Sequence, residues 1–186
     1  MKPIELLSEA AEAEASADAI PLLISVLSIS HDDLMMVDVS AMETEPDYAV
    51  EHALETALEL VNSGDLAGDE LAKVSRLTAE NWLTLEEIPG GTPREINVRA
   101  AEFLTASCPK TGIIPYPEDH SFSLETVRDL LASDDWKARY LGALITREHF
   151  AEESATLLES LAEDPFEDED GIFLVREAAG FSEDEG

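Results

Sequence analysis

Apolar residues recur along this chain at spacings of three and four, the period of a helix with one buried face. No run alternates cleanly enough to be a strand. Pro3 fits the first turn of a helix carrying Ile4, Leu7 and Ala11 on one stripe. Asp18 introduces Ile20, Leu23, Ile24 and Leu27, with Pro21 tolerable because it falls in the first turn. A third short helix is expected after Asp32-Asp33, with Leu34, Val37 and Ala41 inward. Asp47 caps a fourth, whose face is Val50, Leu54, Ala57, Leu58 and Val61 and whose stop is Gly64. Asp69 opens a fifth, with Leu71, Val74 and Leu77 running toward Trp82. Thr84 and Glu87 form the capping box of a short segment that ends before Pro89-Gly90-Gly91. Thr92-Pro93-Arg94-Glu95 reads as N-cap, proline at the first helical position and glutamate at the third, launching Ile96, Val98, Ala101, Phe103 and Leu104. Residues 107–121, with Cys108-Pro109, Gly112, Pro115 and Pro117, form the long loop. Helices at about 122–132, 134–147, 150–162 and 170–181 follow, then a frayed acidic tail over 182–186.

Charge changes this picture of an ordinary helical domain. The 186 residues hold 42 Asp and Glu against 11 Lys and Arg, a formal charge of −31. At 45% hydrophobic the chain is too apolar to be a disordered acidic segment, and its length suits one domain or one short array of repeats. The acids are uneven. Residues 1–62 hold 14 with Lys2 as the one base, residues 63–110 hold 8 with 5 bases, and residues 111–186 hold 20 with 5. This balance argues against direct binding of nucleic acid or anionic lipid, whose phosphates need Lys and Arg. One cysteine, Cys108, makes no intrachain disulfide. The start, Met1-Lys2-Pro3-Ile4-Glu5, meets four glutamates by Glu14, unlike a secretory signal. The apolar stretch Ala19 to Ile24 is far short of the roughly 20 residues of a membrane helix. A cytoplasmic location is expected.

The helices are repetitive. Ile96-Asn97-Val98-Arg99 to Leu104, Trp136-Lys137-Ala138-Arg139 to Leu144, and Phe173-Leu174-Val175-Arg176 to Phe181 share one pattern. Each has a large apolar residue, then a small or β-branched one directly before arginine, with apolar residues two and five positions after it. A weaker copy runs from Ser30 to Met42, where Val37 takes the arginine's place. The pattern resembles the HEAT-repeat family, and within it the short HEAT-like repeats of phycobilisome lyases. The acidic start at Asp134-Asp135, the Val-Arg steps at Val98-Arg99 and Val175-Arg176, and the trailing small residues carry the likeness. It is good over about 92–181 and loose over 1–62. It implies an all-α fold, an α-solenoid of antiparallel helix pairs with about 10–11 helices forming a single domain over 1–181. A plain helical bundle is the alternative. In such repeats the arginine bridges to an acidic residue of a neighbouring repeat and satisfies loop carbonyls, which makes Arg99, Arg139 and Arg176 structural.

No catalytic constellation emerges. His31, His52, His120 and His149 stand in no zinc-binding spacing, so no metal is expected. Cys108 and His120 share a loop region, but no oxyanion-hole glycines flank the thiol and Pro109 removes the donor after it. An EF-hand register with Asp168, Asp170, Gly171 and Glu177 puts Phe166 in the leading ligand position, so an inter-helix turn is the better reading. Pro89-Gly90-Gly91-Thr92 lacks the lysine of a phosphate loop, and no cofactor is expected.

What remains is the acidity. Glu51, Glu55 and Glu59 stand at i, i+4 and i+8, opposite the apolar face of their helix. Like charges so spaced destabilise a helix by a few tenths of a kcal/mol per pair. The stripe carries no compensating lysine, which suggests selection for something other than helix stability. The expected function is therefore a non-catalytic module that docks a basic protein, in its sharpest form an immunity-type or DNA-mimic inhibitor. The candidate partner-binding residues are Asp32, Asp33, Asp47, Glu51, Glu55, Glu59, Glu118 and Asp119. Two alternatives stand beside it: a halophilic cytosolic scaffold whose acidity is environmental, and, from the family resemblance alone, a bilin lyase.

Overall fold

The structure, a computed structural model, describes residues 2–181. The tail expected over 182–186 lies outside the described residues. Ten α-helices account for most of the chain: α1 (Pro3–Ala10), α2 (Ile20–Leu27), α3 (His31–Met35), α4 (Pro46–Ser63), α5 (Gly68–Leu77), α6 (Arg94–Thr111), α7 (Leu124–Leu131), α8 (Trp136–His149), α9 (Ala151–Leu158) and α10 (Leu174–Ala178). A two-stranded antiparallel ribbon, β1 (Ile113–Pro115) and β2 (Asp119–Ser121), joins α6 to α7 with Ile114 opposite His120. The fold is all-α but for this ribbon.

Helix packing follows chain order. α1 packs on α4, α4 on α6, α6 on α8 and α8 on α10. The intervening helices lie against this series: α2 on α1 and α4, α5 on α6, and α7 and α9 on α8. The stripes read from the sequence face inward at these seams. Leu7, Leu23, Leu27, Val50, Leu54, Ala57, Val61, Leu71, Val74, Ile96, Phe103, Leu104 and Leu141 are all buried. The three repeat segments fall on α6, α8 and α10, successive members of the series.

Local chemistry explains where the elements begin and end. α4 starts with Pro46 at its first position and Asp47 in its first turn, and stops at Gly64, whose φ of +89° a side chain would resist. Leu60 O then accepts from the amides of both Gly64 and Leu66, and Leu66 is buried. α7 and α8 approach closely at Gly142, where a Cβ would sit 3.0 Å from Leu130 Cβ.

Several expectations are corrected. α3 stops at Met35, short of Val37 and Ala41, because Ser30 and not Asp33 is its N-cap and the helix has only five residues. Ala41 is exposed in a separate 3-10 turn, so the weak early repeat makes no helix like the other three. No helix follows Thr84. α5 instead widens into a π-helical turn over Thr78–Leu83, and Thr84 closes it by donating its hydroxyl to Glu80 O at 2.6 Å. α6 begins at Arg94, one residue later than the capping box implied, and Thr92 accepts no capping bond. The expected loop over 107–121 is instead the last turn of α6 followed by the ribbon.

That last turn runs through Pro109, which has no N–H for the Thr105 carbonyl four residues earlier. His149, at the end of α8, supplies the missing donor from Nε2 at 2.8 Å. A histidine on the neighbouring helix thus replaces the bond that proline removes.

Candidate functional site

Eight of the eleven lysines and arginines are engaged internally. Four arginines take eight carboxylates: Arg76 takes Asp119, Arg94 takes Glu95, Asp168 and Asp170, Arg99 takes Glu51, Glu55 and Glu102, and Arg139 takes Asp164. Lys110, Lys137, Arg147 and Arg176 each donate to a backbone carbonyl, of Val61, Leu85, Ala178 and Asp164 respectively. Most of the carboxylates therefore have no cation within reach among the described residues. From residue 3 to residue 72 the sequence contains no Lys or Arg at all. Among the described residues, Arg99 of α6 is the Lys or Arg that bridges acids of that segment.

Geometry divides the eight expected docking residues. Asp32 and Asp33 are exposed in the first turn of α3, where Asp33 bonds back to the Ser30 hydroxyl at 2.8 Å. Asp47 folds onto its own helix start, accepting from the Tyr48 amide at 2.8 Å, and fills the space beside Gly91. Glu59 and Glu118 are exposed, and neither has a Lys or Arg partner. Asp119, on β2, is held at 2.9 Å by Arg76 of α5.

Glu51 and Glu55 differ from expectation. They do not stand free opposite the apolar face; they border the α4–α6 seam and are bridged by Arg99 at 3.3 and 3.0 Å. Glu102 takes the third guanidinium position at 2.9 Å. The stripe that looked uncompensated is bridged, and in part compensated, by one arginine from α6, and Glu59 alone of the three has no cation partner among the described residues. The Glu102 hydrogen bond, against the cost of partial burial, raises the Arg99 pKa further above its ordinary value.

Arg139 and Arg176 converge on one acid. Arg139 clamps Asp164 with Nε–Oδ2 at 2.5 Å and Nη2–Oδ1 at 3.0 Å, and gives Nη1 to the carbonyls of Ser133 and Asp134. Arg176 Nε donates to the Asp164 carbonyl at 2.8 Å, and its guanidinium lies 3.8 Å from the Phe173 ring centroid. The Asp164 side chain is 3% exposed. Sequence reasoning passed over Asp164 because it sits in a run of acids from Glu163 to Asp170 with nothing to distinguish it.

The acids tested against an EF-hand are organised around an arginine. Asp168 Oδ1 accepts the amides of Asp170 and Ile172 at 3.0 and 2.8 Å, while Oδ2 takes Arg94 at 2.9 Å. Burial raises the Asp168 carboxyl, but these donors outweigh it and hold it below the usual aspartate range. Among the described residues no group of three or more His, Cys, Asp or Glu is placed to hold a metal ion. Cys108 is fully buried in α6, and burial pushes its thiol up to about 12, which leaves it protonated and inert. The histidines serve the fold where they are engaged: His52 Nε2 meets Ala13 O at 3.0 Å, and His149 meets Thr105 O.

Among the described residues no helix is long and apolar enough to cross a membrane. Compared with protein-family models, with curated proteins and with solved structures, the chain matches none of them.

Proposed function

We propose that this protein is a non-catalytic binding module whose acidic surface docks a basic protein. The observation that carries this reading is the cation inventory. Eight of eleven arginines and lysines are engaged by carboxylates or backbone carbonyls, and the segment from α1 to the start of α5 contributes carboxylates alone. Acids without counter-charges repel one another and cost stability, while a field of this sign draws in cationic partners and speeds their encounter. A DNA-mimic or immunity-type inhibitor, which covers a nucleic-acid-binding surface, is the form we favour, acting in the cytoplasm.

The architecture suits this role as a short HEAT-like solenoid. In support, α1, α4, α6, α8 and α10 pack in succession, and the three arginine-bearing segments occupy three neighbouring members of that series. An array built this way offers an extended face to a partner.

Competition provides the test. A basic DNA-binding protein held on a labelled duplex should be released by this protein at 0.15 M salt, with a defined stoichiometry. Reversing charge at Asp32, Glu59 and Glu118 should weaken release, since none of these pairs with an arginine. Glu51 and Glu55 are unsuitable, because their reversal also breaks the Arg99 bridge. Release that appears only at low salt and never saturates would overturn the reading.

A further inference from the structure

A cavity of about 280 Å³ opens between the start of α6, the start of α8 and the 164–172 loop. One wall is aromatic: Trp136 and Phe166 stack with centroids 4.1 Å apart and planes within 7°, and both are partly exposed. Its rim is acidic. Glu167, Asp168, Glu169 and Asp170 line it, against the single guanidinium of Arg94, which Asp168 and Asp170 already hold. Glu167 and Glu169 are exposed and bonded to no cation among the described residues.

The inner wall adds one polar side chain. Asn97 is 3% exposed and lines the cavity. Its Nδ2 donates to the carbonyls of Trp82, Leu83 and Leu85 at 2.8, 3.2 and 3.1 Å, and three oxygens around one end of the amide fix that end as the NH2. Its Oδ1 accepts nothing from the described residues. With Nδ2 turned to the π-helical turn, the oxygen is the polar atom left for the cavity. That oxygen is an accessible acceptor, and a donor entering the cavity can pair with it.

The open charges of the cavity are the carboxylates of Glu167 and Glu169, and Asn97 Oδ1 adds an acceptor beside the aromatic slab, while Arg94, the Trp136 indole N–H and the Thr92 hydroxyl are the donors its lining residues carry. An anion is repelled, and a neutral apolar group leaves Asn97 unpaired. A compact ammonium satisfies the acids but covers less of the slab than a planar group does. A planar cation with several N–H donors satisfies all three, stacking on the rings while donating to Asn97 Oδ1 and to Glu167 and Glu169. The volume lies below the roughly 300 Å³ at which small-molecule pockets begin, and so suits one inserted side chain. The rings already draw one internal cation: Lys137 Nζ lies 5.9 Å from the Trp136 centroid while donating to Leu85 O at 3.3 Å.

We infer that this cavity is the seat of an arginine side chain of the basic partner, gripped by Trp136, Asn97, Glu167 and Glu169. The inference rests on the proposed acidic docking function and names its anchor point. The probes are nona-arginine and nona-lysine peptides, equal in charge, titrated at 0.15 M salt. Nona-arginine is expected to bind about threefold or more tightly than nona-lysine, the span of one exposed cation–π contact. Trp136→Leu should erase that preference and leave nona-lysine affinity unchanged. The paired substitution Glu167→Gln and Glu169→Gln, on exposed residues that hold no fold contact, should lower nona-arginine affinity several-fold more than nona-lysine affinity. Equal binding of the two peptides by the native protein, or a preference that survives both variants, overturns the arginine seat alone. Binding of neither peptide overturns the seat and the docking function together.

Discussion

Arg99 and Arg139 occupy the same place in the repeated pattern, yet they join their seams in different ways. On α8, Arg139 is 12% exposed and grips an acid that is 3% exposed, with its remaining donors on two loop carbonyls. On α6, Arg99 is 35% exposed and spreads over three glutamates that are themselves 26–43% exposed. The first arrangement locks α8 to the 164–172 loop through a largely buried pair in which four of the five guanidinium donors are placed. The second leaves a bridge in water, where Coulomb attraction is screened and each pair is worth about 0–1 kcal/mol. One sequence pattern therefore supports two energetic roles. What separates them is the depth of the acid that the fold brings to the arginine.

The largest expected effect breaks the deeper lock. Asp164→Ala leaves the Arg139 guanidinium without its carboxylate and deprives the Phe166 amide of its acceptor. Removing one partner of a buried pair costs about 3–5 kcal/mol, because the other charge stays desolvated. Chemical denaturation should show a loss of that size. A loss below 1 kcal/mol would mean that water reaches the pair and that the two seams are alike.

A second prediction concerns the seam between α6 and α8. His149→Ala leaves the Thr105 carbonyl without a donor, since Pro109 offers none, and an unpaired buried carbonyl costs about 1–3 kcal/mol. Replacing Pro109 with alanine in the same chain returns an amide to that carbonyl. The double variant should recover part of the loss, whereas a simple packing defect at His149 would show no such rescue.

These bonds show what was legible in the sequence and what was not. The helical stripes were in the main: Leu7, Leu23, Leu27, Val50, Leu54 and Leu71 are buried as the period requires, although Ile4, Ile24, Leu58, Leu77 and Val98 of the same stripes are only partly so. Helix ends were less so: Thr84-Glu87 matches a capping box, but the preceding helix had not finished. Pro109 reads as a breaker, and it lies inside α6 only because a histidine 40 residues on, unforeseeable from local pattern, replaces the lost donor. The same distance hid the Arg99 bridge to Glu51 and Glu55. Asn97 did leave a signal. It stands four residues before Ala101 on the buried face of α6, a polar residue where the period calls for an apolar one.

Acid provides a smaller test at the edge of the C-terminal lock. The Asp168 carboxyl is held below its ordinary range, so its contribution is complete above the unfolded value of about 3.9 and is lost as pH falls through the lower folded value. Protonating the other carboxylates relieves repulsion and works in the opposite direction. The informative quantity is therefore the difference between the native protein and Asp168→Asn. That variant should be less stable at pH 7, and the gap should close toward pH 2. A gap independent of pH would assign the effect to lost geometry at the Asp170 and Ile172 amides and not to charge.

The smallest effect belongs to the exposed bridge. A double-mutant cycle on Arg99 and Glu55 should give a coupling below about 1 kcal/mol at low salt, fading as salt is added. Screening acts on charges in water and hardly on buried ones, so the Asp164→Ala loss should stay nearly constant over the same range. Arg99→Ala also frees Glu51, Glu55 and Glu102 on a surface already short of cations. If the acidic face docks a basic protein, that substitution should tighten partner binding at low salt while slightly destabilising the fold. Tighter binding with lower stability would mark the Arg99 bridge as a brake on the surface field. Weaker binding would instead place Arg99 among the groups that the partner needs in position.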